Sequence, residues 1–420
     1  MRLIFASKVL LYLFSVVLAL GTWNPFLPFQ FQEEEQSGFA LYQIIVVLFV
    51  ALLFFVPKNR KINNKDTKIY LIVLFLLVFL STVFNSLSMM TVGTMIFFVK
   101  FALVLALCYL LPRLFTFSPE LIFKSAFIFS IVCTILSIVY AFGYLDQFSE
   151  ISKGRFYFWG ENPNSTSARY GLAFLFILHI IIGNPLGLSK WRHLLWFSLP
   201  FLLNFIMASG SRGSFLILLI SILTYLAFAP FRSKNYKWLL VFILSTGLLW
   251  GIDYIASNNQ DYVLFERLND SVEHGEDGGR DRLNGEAIQI FLDNPIYGVG
   301  VHDFQAEMKA RFSEELTVHN LYVYLFAISG LLGGCCFLAF LLHLFKNAYV
   351  ARRYTSLSIT LFVYIFLLAY KTGGILTYTL MWYVFSIIIS LATINRYVIY
   401  GYKKEANNCH PILLDSCKGR

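Results

Sequence analysis

Charge is what this chain most conspicuously lacks. Asp, Glu, Lys and Arg make up 14% of its 420 residues, where a water-soluble chain carries about 25%. That is too little to cover a soluble surface of this size, and it excludes an ordinary cytosolic enzyme or a charged disordered chain. Cysteine is sparse and unpatterned. Cys108, Cys133, Cys335 and Cys336 fall in apolar runs and Cys409 and Cys417 in a polar tail, so neither a secreted disulfide scaffold nor a zinc site is indicated. No internal repeat is visible, and no matched halves. What is abundant is apolar and aromatic: 58% hydrophobic residues, with 44 Phe and 24 Tyr, and a mean hydropathy of +0.68. The solvent for such a chain is lipid.

Runs of about 20 apolar residues cross a hydrocarbon core of about 30 Å. Twelve are legible: 3–22, 39–57, 69–88, 93–112, 122–143, 167–184, 193–208, 213–229, 238–256, 319–343, 356–370 and 375–395. The expected fold class is all-α, a polytopic membrane helix bundle of about twelve spans. The first run reads as a retained span and not as a signal peptide, because it has no small-residue cleavage site. Lys and Arg accumulate on the cytoplasmic side of membranes. With the first residue inside, 22 of the 33 basic residues lie on the cytoplasmic side and ten on the other, with Lys100 within a span. Both termini are then cytoplasmic. This bias accounts for the net charge of +9 without nucleic acid.

Residues 1–256 form the first nine spans and residues 319–420 the last three with a cytoplasmic tail. Between them, residues 257–318 form a polar extracytoplasmic loop holding thirteen of the 24 acidic residues. A loop this long is either functional or disordered. Helical stretches at 282–292 and 303–315, with a turn at Asn294-Pro295, predict that it is folded.

Three groups on the outer side carry candidate chemistry. Arg212 sits in Ser209-Gly210-Ser211-Arg212-Gly213-Ser214, a tight turn between two apolar runs. A charge there is costly, so it faces a polar cavity or partner, or else snorkels as an interfacial anchor. Small neighbours would leave its guanidinium and the local N–H groups open to a phosphate oxygen. Arg280 and Arg282 precede Asp293-Asn294-Pro295-Ile296-Tyr297-Gly298-Val299-Gly300. They are aimed over the bundle, or they belong to a solvated helix with Arg280 paired to Glu276 or Asp277. His319, in Thr317-Val318-His319-Asn320-Leu321-Tyr322, stands at the start of an apolar run. Imidazole suits proton transfer near neutrality, yet helix starts also favour polar caps, which Thr317 or Asn320 could supply. His302 is the competing histidine. Glu161-Asn162-Pro163-Asn164-Ser165-Thr166, with Arg169 one turn inside, either lines an outer cavity or caps the sixth span. Asp270, Glu273, Glu276, Asp277 and Asp281 lack the spacing of a calcium loop, so no metal and no cofactor are expected.

The order of these features resembles the O-antigen ligase and O-antigen polymerase superfamily of bacterial envelope glycosyltransferases. The shared elements are the Ser-Arg-Gly turn, a large outer loop with an arginine about 15 residues before Asn-Pro-Ile-Tyr-Gly-Val-Gly, and His-Asn-Leu-Tyr opening a span that reaches Gly330-Leu331-Leu332-Gly333. The likeness covers roughly residues 160–340. One departure is Asn284, where an aromatic often follows the loop arginine.

The resemblance implies a C-type glycosyltransferase fold in the bacterial inner membrane, working without metal in lipopolysaccharide or other envelope polysaccharide biosynthesis. The donor would be a glycan on undecaprenyl diphosphate. The acceptor would be a sugar hydroxyl on lipid A-core for a ligase, or on a lipid-linked repeat unit for a polymerase. Arg212 and Arg280 take the diphosphate-binding role and His319 the general base. Arg282, Asn320 and Arg169 are further substrate-binding candidates. A transporter of lipid or polysaccharide is the rival class, since twelve spans also suit secondary transporters.

Overall fold

The computed structural model describes residues 2–21, 41–56, 65–86, 91–145, 149–152, 155–158, 161–229, 280–312, 318–372 and 376–408. The ninth expected span, 238–256, and the first part of the outer loop, 257–279, lie outside these residues.

With no water to satisfy backbone groups in hydrocarbon, an apolar run must close its own hydrogen bonds as a helix, and the described runs do so. They are α1 (Arg2–Leu20), α2 (Leu41–Phe54), α3 (Lys65–Ser86), α4 (Val92–Phe117), α5 (Glu120–Ala141), α6 (Pro163–Gly183), α7 (Ser198–Ala208) and α8 (Arg212–Phe228). Beyond the undescribed segment follow α9 (Arg280–Asp293), α10 (Gly300–Phe312), α11 (Leu321–Ala351), α12 (Leu357–Thr372) and α13 (Thr379–Asn408). Six helices among the described residues are long and apolar enough to cross a membrane, and four more apolar helices are shorter. The chain is a multi-pass helical membrane protein.

Two details differ from the sequence reading. The seventh expected span is an 11-residue α7 preceded by a 3-10 turn at Ser189–Phe197, in which Trp191 and Phe197 are exposed. Trp favours the membrane interface, and the apolar run does not continue as one helix. The fold is also not purely helical, since Ser149–Ser152 and Arg155–Phe158 form a two-stranded antiparallel hairpin. It lies between α5 and α6, where no apolar run imposes a helix.

The centre of the bundle is formed by α6 and α13, whose most apolar stretches are 83% and 94% buried, against 33% for α3. Pro163 opens α6 beneath an Asn162 cap, and Asn184 closes it in the left-handed region. Peripheral helices turn Ile, Leu and Phe outward, as contact with lipid requires.

The segment from α9 to α10 is seated on the bundle by backbone. Gly330 breaks α11 at φ 62° and ψ −164°, and the Asn294–Gly300 segment fills the break. The Leu331 N–H donates to Pro295 O at 2.8 Å and the Val299 N–H to Ala327 O at 3.0 Å. From α3, Asn85 Nδ2 donates to Gly298 O at 3.0 Å, and Thr82 Oγ1 accepts from the Val301 N–H at 3.1 Å. Ser81 Oγ donates to Ile328 O at 2.7 Å. Carbon added at Gly330 would collide with the backbone of Ile296 and Tyr297, and at Gly298 with that of Ile328 and Ser329. Gly330→Ala therefore meets both a forbidden backbone region and a backbone collision. It should cost at least about 1–3 kcal/mol, the usual scale of such local strain, read as a lowered thermal unfolding midpoint in detergent. An unchanged midpoint would show that the loop can leave its seat freely.

Candidate active site

The turn between α7 and α8 sets the position of Arg212. Gly210 adopts φ +62°, which only glycine takes without strain, and Ser209 Oγ accepts from the Ser211 N–H at 3.3 Å. Ser211 Oγ donates to Asn164 Oδ1 at 2.8 Å and lies 3.0 Å from Ser214 Oγ. The turn is thus tied to the start of α6. Because Ser211 turns its side chain to Asn164, α8 has no side-chain N-cap. Its first N–H groups and the positive end of its dipole stand at Arg212, which is half-buried.

Gly213 brings a second cation to this turn. A β-carbon there would collide with Cγ, Cδ and Cε of Lys371, so the lysine stem from the C-terminal end of α12 lies directly across the first turn of α8. A helix N-terminus beside two basic side chains suits an anion. Sequence reasoning counted Lys371 only as an outer-side charge. The signal was the same as for Arg212: a basic residue ending an apolar run on the side where basic residues are scarce.

Arg169 sits two turns into α6 in a buried ion pair. Its guanidinium pairs with Glu161, and both side chains are nearly fully buried. Thr166 Oγ1 donates to the other Glu161 oxygen at 3.2 Å, while the guanidinium packs on Gly21 at the end of α1. Its charge is matched inside the fold, and Nη1 has no hydrogen-bond partner among the described residues. Glu161→Ala should leave a buried cation uncompensated and cost about 3–5 kcal/mol. Joint replacement of Glu161 and Arg169 by leucine should cost much less in thermal unfolding. Equal losses would mean that the pair is held by something other than its charge.

Asn320 caps α11, its Oδ1 accepting from the N–H groups of Tyr322 at 3.0 Å and Val323 at 3.3 Å. His319 is half-buried between the buried Val318 and Asn320. Thr317 lies outside the described residues. Tyr322 OH donates to Phe366 O of α12 at 2.8 Å, a little over one turn before Lys371. The contacts therefore run from Arg212 through Gly213, Lys371 and Phe366 to Tyr322 and the start of α11.

Arg280 begins α9 and is half-buried, while Arg282 is exposed. Phe291 meets Phe326 edge-on at 5.5 Å and Pro295 bonds to Leu331, so the end of α9 and the turn after it pack on α11 at its break. Arg311 of α10 fixes this arrangement by reaching Glu286 at 3.0 Å, Asp293 at 3.3 Å and Glu307 at 3.6 Å. The hydrogen bond to Glu286, ahead of the other carboxylates, holds its guanidinium more firmly in the charged form. Asn284 Oδ1 is enclosed without a hydrogen-bond partner among the described residues. Glu276 and Asp277, the possible partners of Arg280, lie outside the described residues.

Residues 197–338 match the family model described as O-antigen ligase. The match supports the O-antigen ligase superfamily. It runs from the start of α7 into α11 and contains Arg212, Arg280, Arg282, His319 and Asn320. Comparison with curated proteins found no match. The O-antigen ligase match supports a membrane glycosyltransferase-type enzyme, ligase or polymerase in the broad sense, with lipid-linked glycans as substrates. Lys371 and the α6 cluster at Glu161 and Arg169 fall outside the matched stretch.

Proposed function

We propose that this protein is the ligase of the pair, moving a glycan from undecaprenyl diphosphate to a sugar hydroxyl of lipid A-core at the outer face of the inner membrane. The observation that carries the reading is Arg212 at the uncapped start of α8, with the Lys371 stem laid across Gly213. The acceptor oxygen attacks the anomeric carbon, the C–O bond to the diphosphate breaks, and the diphosphate leaves with the electron pair. His319 takes the hydroxyl proton as general base. Arg212 and Arg280, with Lys371 beside them, hold the leaving diphosphate as its charge grows. Guanidinium forks suit this role because they stay charged beside lipid and bind phosphate with two N–H groups.

Lys371→Ala should weaken use of the donor by about tenfold or more, since a hydrogen bond to a charged group contributes ~1.5–3 kcal/mol. The loss should fall mainly on KM for the lipid-linked donor, because Arg212 remains to stabilise the transition state. An unchanged KM would remove Lys371 from the site.

The reading requires the site to face outward. A cysteine at Ser271 should react with a membrane-impermeant reagent applied from outside, and one at Asn64 should not. The reverse pattern would place the loop in the cytoplasm, away from a flipped donor, and the proposal would fall with it.

A further inference from the structure

The surface of α9 divides into three stripes. Leu283, Ala287 and Ile290 are buried in the protein. Arg282, Glu286, Gln289 and Asp293 form a polar stripe, met by Arg311. The third stripe is apolar and exposed: Ile288 is 45% and Leu292 58% exposed, continuing into Ile296 and Tyr297 at 56% and 59%. In a loop facing only water, four such side chains in sequence would be a costly surface.

The depth of the turn shows what covers them. Pro295 O accepts from the N–H of Leu331, ten residues into α11. Beyond the break at Gly330, the stretch of α11 from Leu331 to Ala351 spans about 32 Å, roughly the thickness of one hydrocarbon core. Its cytoplasmic end is marked by Lys346, Arg352 and Arg353, so residues near 331 sit just inside the outer boundary. The exposed Leu331 and Leu332 there belong to the lipid-facing wall, and the apolar stripe of α9 continues that wall. A second helix gives the same level: Ser81, Thr82 and Asn85, which hold Ile328, Val301 and Gly298, belong to the apolar span of α3.

We infer that the second half of α9 and the turn at 294–297 are sunk in the outer leaflet, with Ile288, Leu292, Ile296 and Tyr297 covered by acyl chains of the bulk lipid. Non-helical backbone is tolerated at that depth because the α11 break and α3 satisfy it. The polar stripe faces outward to water and Arg311, as in an interfacial helix sunk about 5–10 Å. Arg280, at the other end of α9, is thereby held at headgroup level, where the diphosphate of a lipid-linked donor would lie. The inference rests on the outer placement of the loop proposed above, though not on the transfer reaction.

Depth-dependent quenching tests it. Full-length protein with its native cysteines replaced would carry Leu292→Cys, Ile296→Cys or Gln289→Cys, labelled with bimane in phosphatidylcholine–phosphatidylglycerol vesicles. Quenching by doxyl-phosphatidylcholine should be several-fold stronger at 292 and 296 than at 289, and quenching by aqueous iodide should show the opposite order. Iodide quenching at 292 and 296 equal to that at 289 would overturn the inference. So would protection from both quenchers that is lost at one protein per vesicle, which would assign the stripe to a second copy. Ile288→Cys gives an independent position on the same stripe if either labelled variant folds poorly. Because the readout needs no turnover, its failure is separable from failure of the transferase reading, and the Ser271 labelling separately reports loop orientation.

Discussion

Arg212→Ala is expected to abolish glycan transfer while leaving the protein folded in the membrane. The side chain starts α8 and is half-buried, but the turn around it is secured by other groups: Gly210, Ser209 and the Ser211–Asn164 bond. Those groups remain when the guanidinium is removed. On the proposed mechanism it removes two charge-assisted hydrogen bonds to the leaving diphosphate. At ~1.5–3 kcal/mol each, that is a loss on the order of 10²–10⁴ in kcat/KM. Arg212→Lys should recover little of it, because a point charge cannot reproduce the planar fork. Full activity from the lysine variant would make simple charge anchoring at the interface the better account. Arg280→Ala should behave like Arg212→Ala. Arg282→Ala should be milder, in keeping with its exposed position.

His319→Ala should cost on the order of 10²–10⁴ in rate, the usual range for a positioned acid–base group. Donor binding should survive, since the arginines remain. The structure sharpens this test, because the cap of α11 is Asn320. A histidine needed only as a helix cap would be redundant beside it. His319→Asn keeps a polar side chain of similar reach and removes the base, so it should be as inactive as the alanine variant. Wild-type activity should fall on acidification, since imidazolium cannot accept the hydroxyl proton. Near-normal transfer by His319→Asn would move the base elsewhere, with His302, half-buried in the first turn of α10, examined next.

Most of the described helices were legible because an apolar run in lipid has few alternatives; the seventh is shorter than its apolar run. The helices of the outer loop were legible to within a few residues, because a proline turn and a glycine pair separate them. The seat of that loop was not. Gly298, Ile328 and Val301 bond to Asn85, Ser81 and Thr82, residues 213, 247 and 219 positions away, and no local pattern encodes such partners. The sequence shows the glycines, while their reason is a backbone approach visible only in three dimensions. Arg169 illustrates the opposite case. Its partner Glu161 is eight residues earlier, but a carboxylate just before Asn162-Pro163 reads as part of a helix start, so the buried pair was not anticipated. Lys371 was missed because a single outer lysine ending an apolar run is ordinary until Gly213 is seen beneath it.

The account depends most on whether this protein breaks a lipid-linked glycan from its diphosphate. Purified protein, supplied with an undecaprenyl-diphosphate-linked oligosaccharide and lipid A-core, should release undecaprenyl diphosphate in step with glycan appearing on the core. Both signals should vanish in the Arg212→Ala and His319→Asn variants. Release coupled instead to lengthening of the lipid-linked chain would replace the ligase with a polymerase. No release with any acceptor, while reconstituted vesicles carry the lipid-linked glycan across the bilayer, would contradict the transferase and leave a transporter in its place.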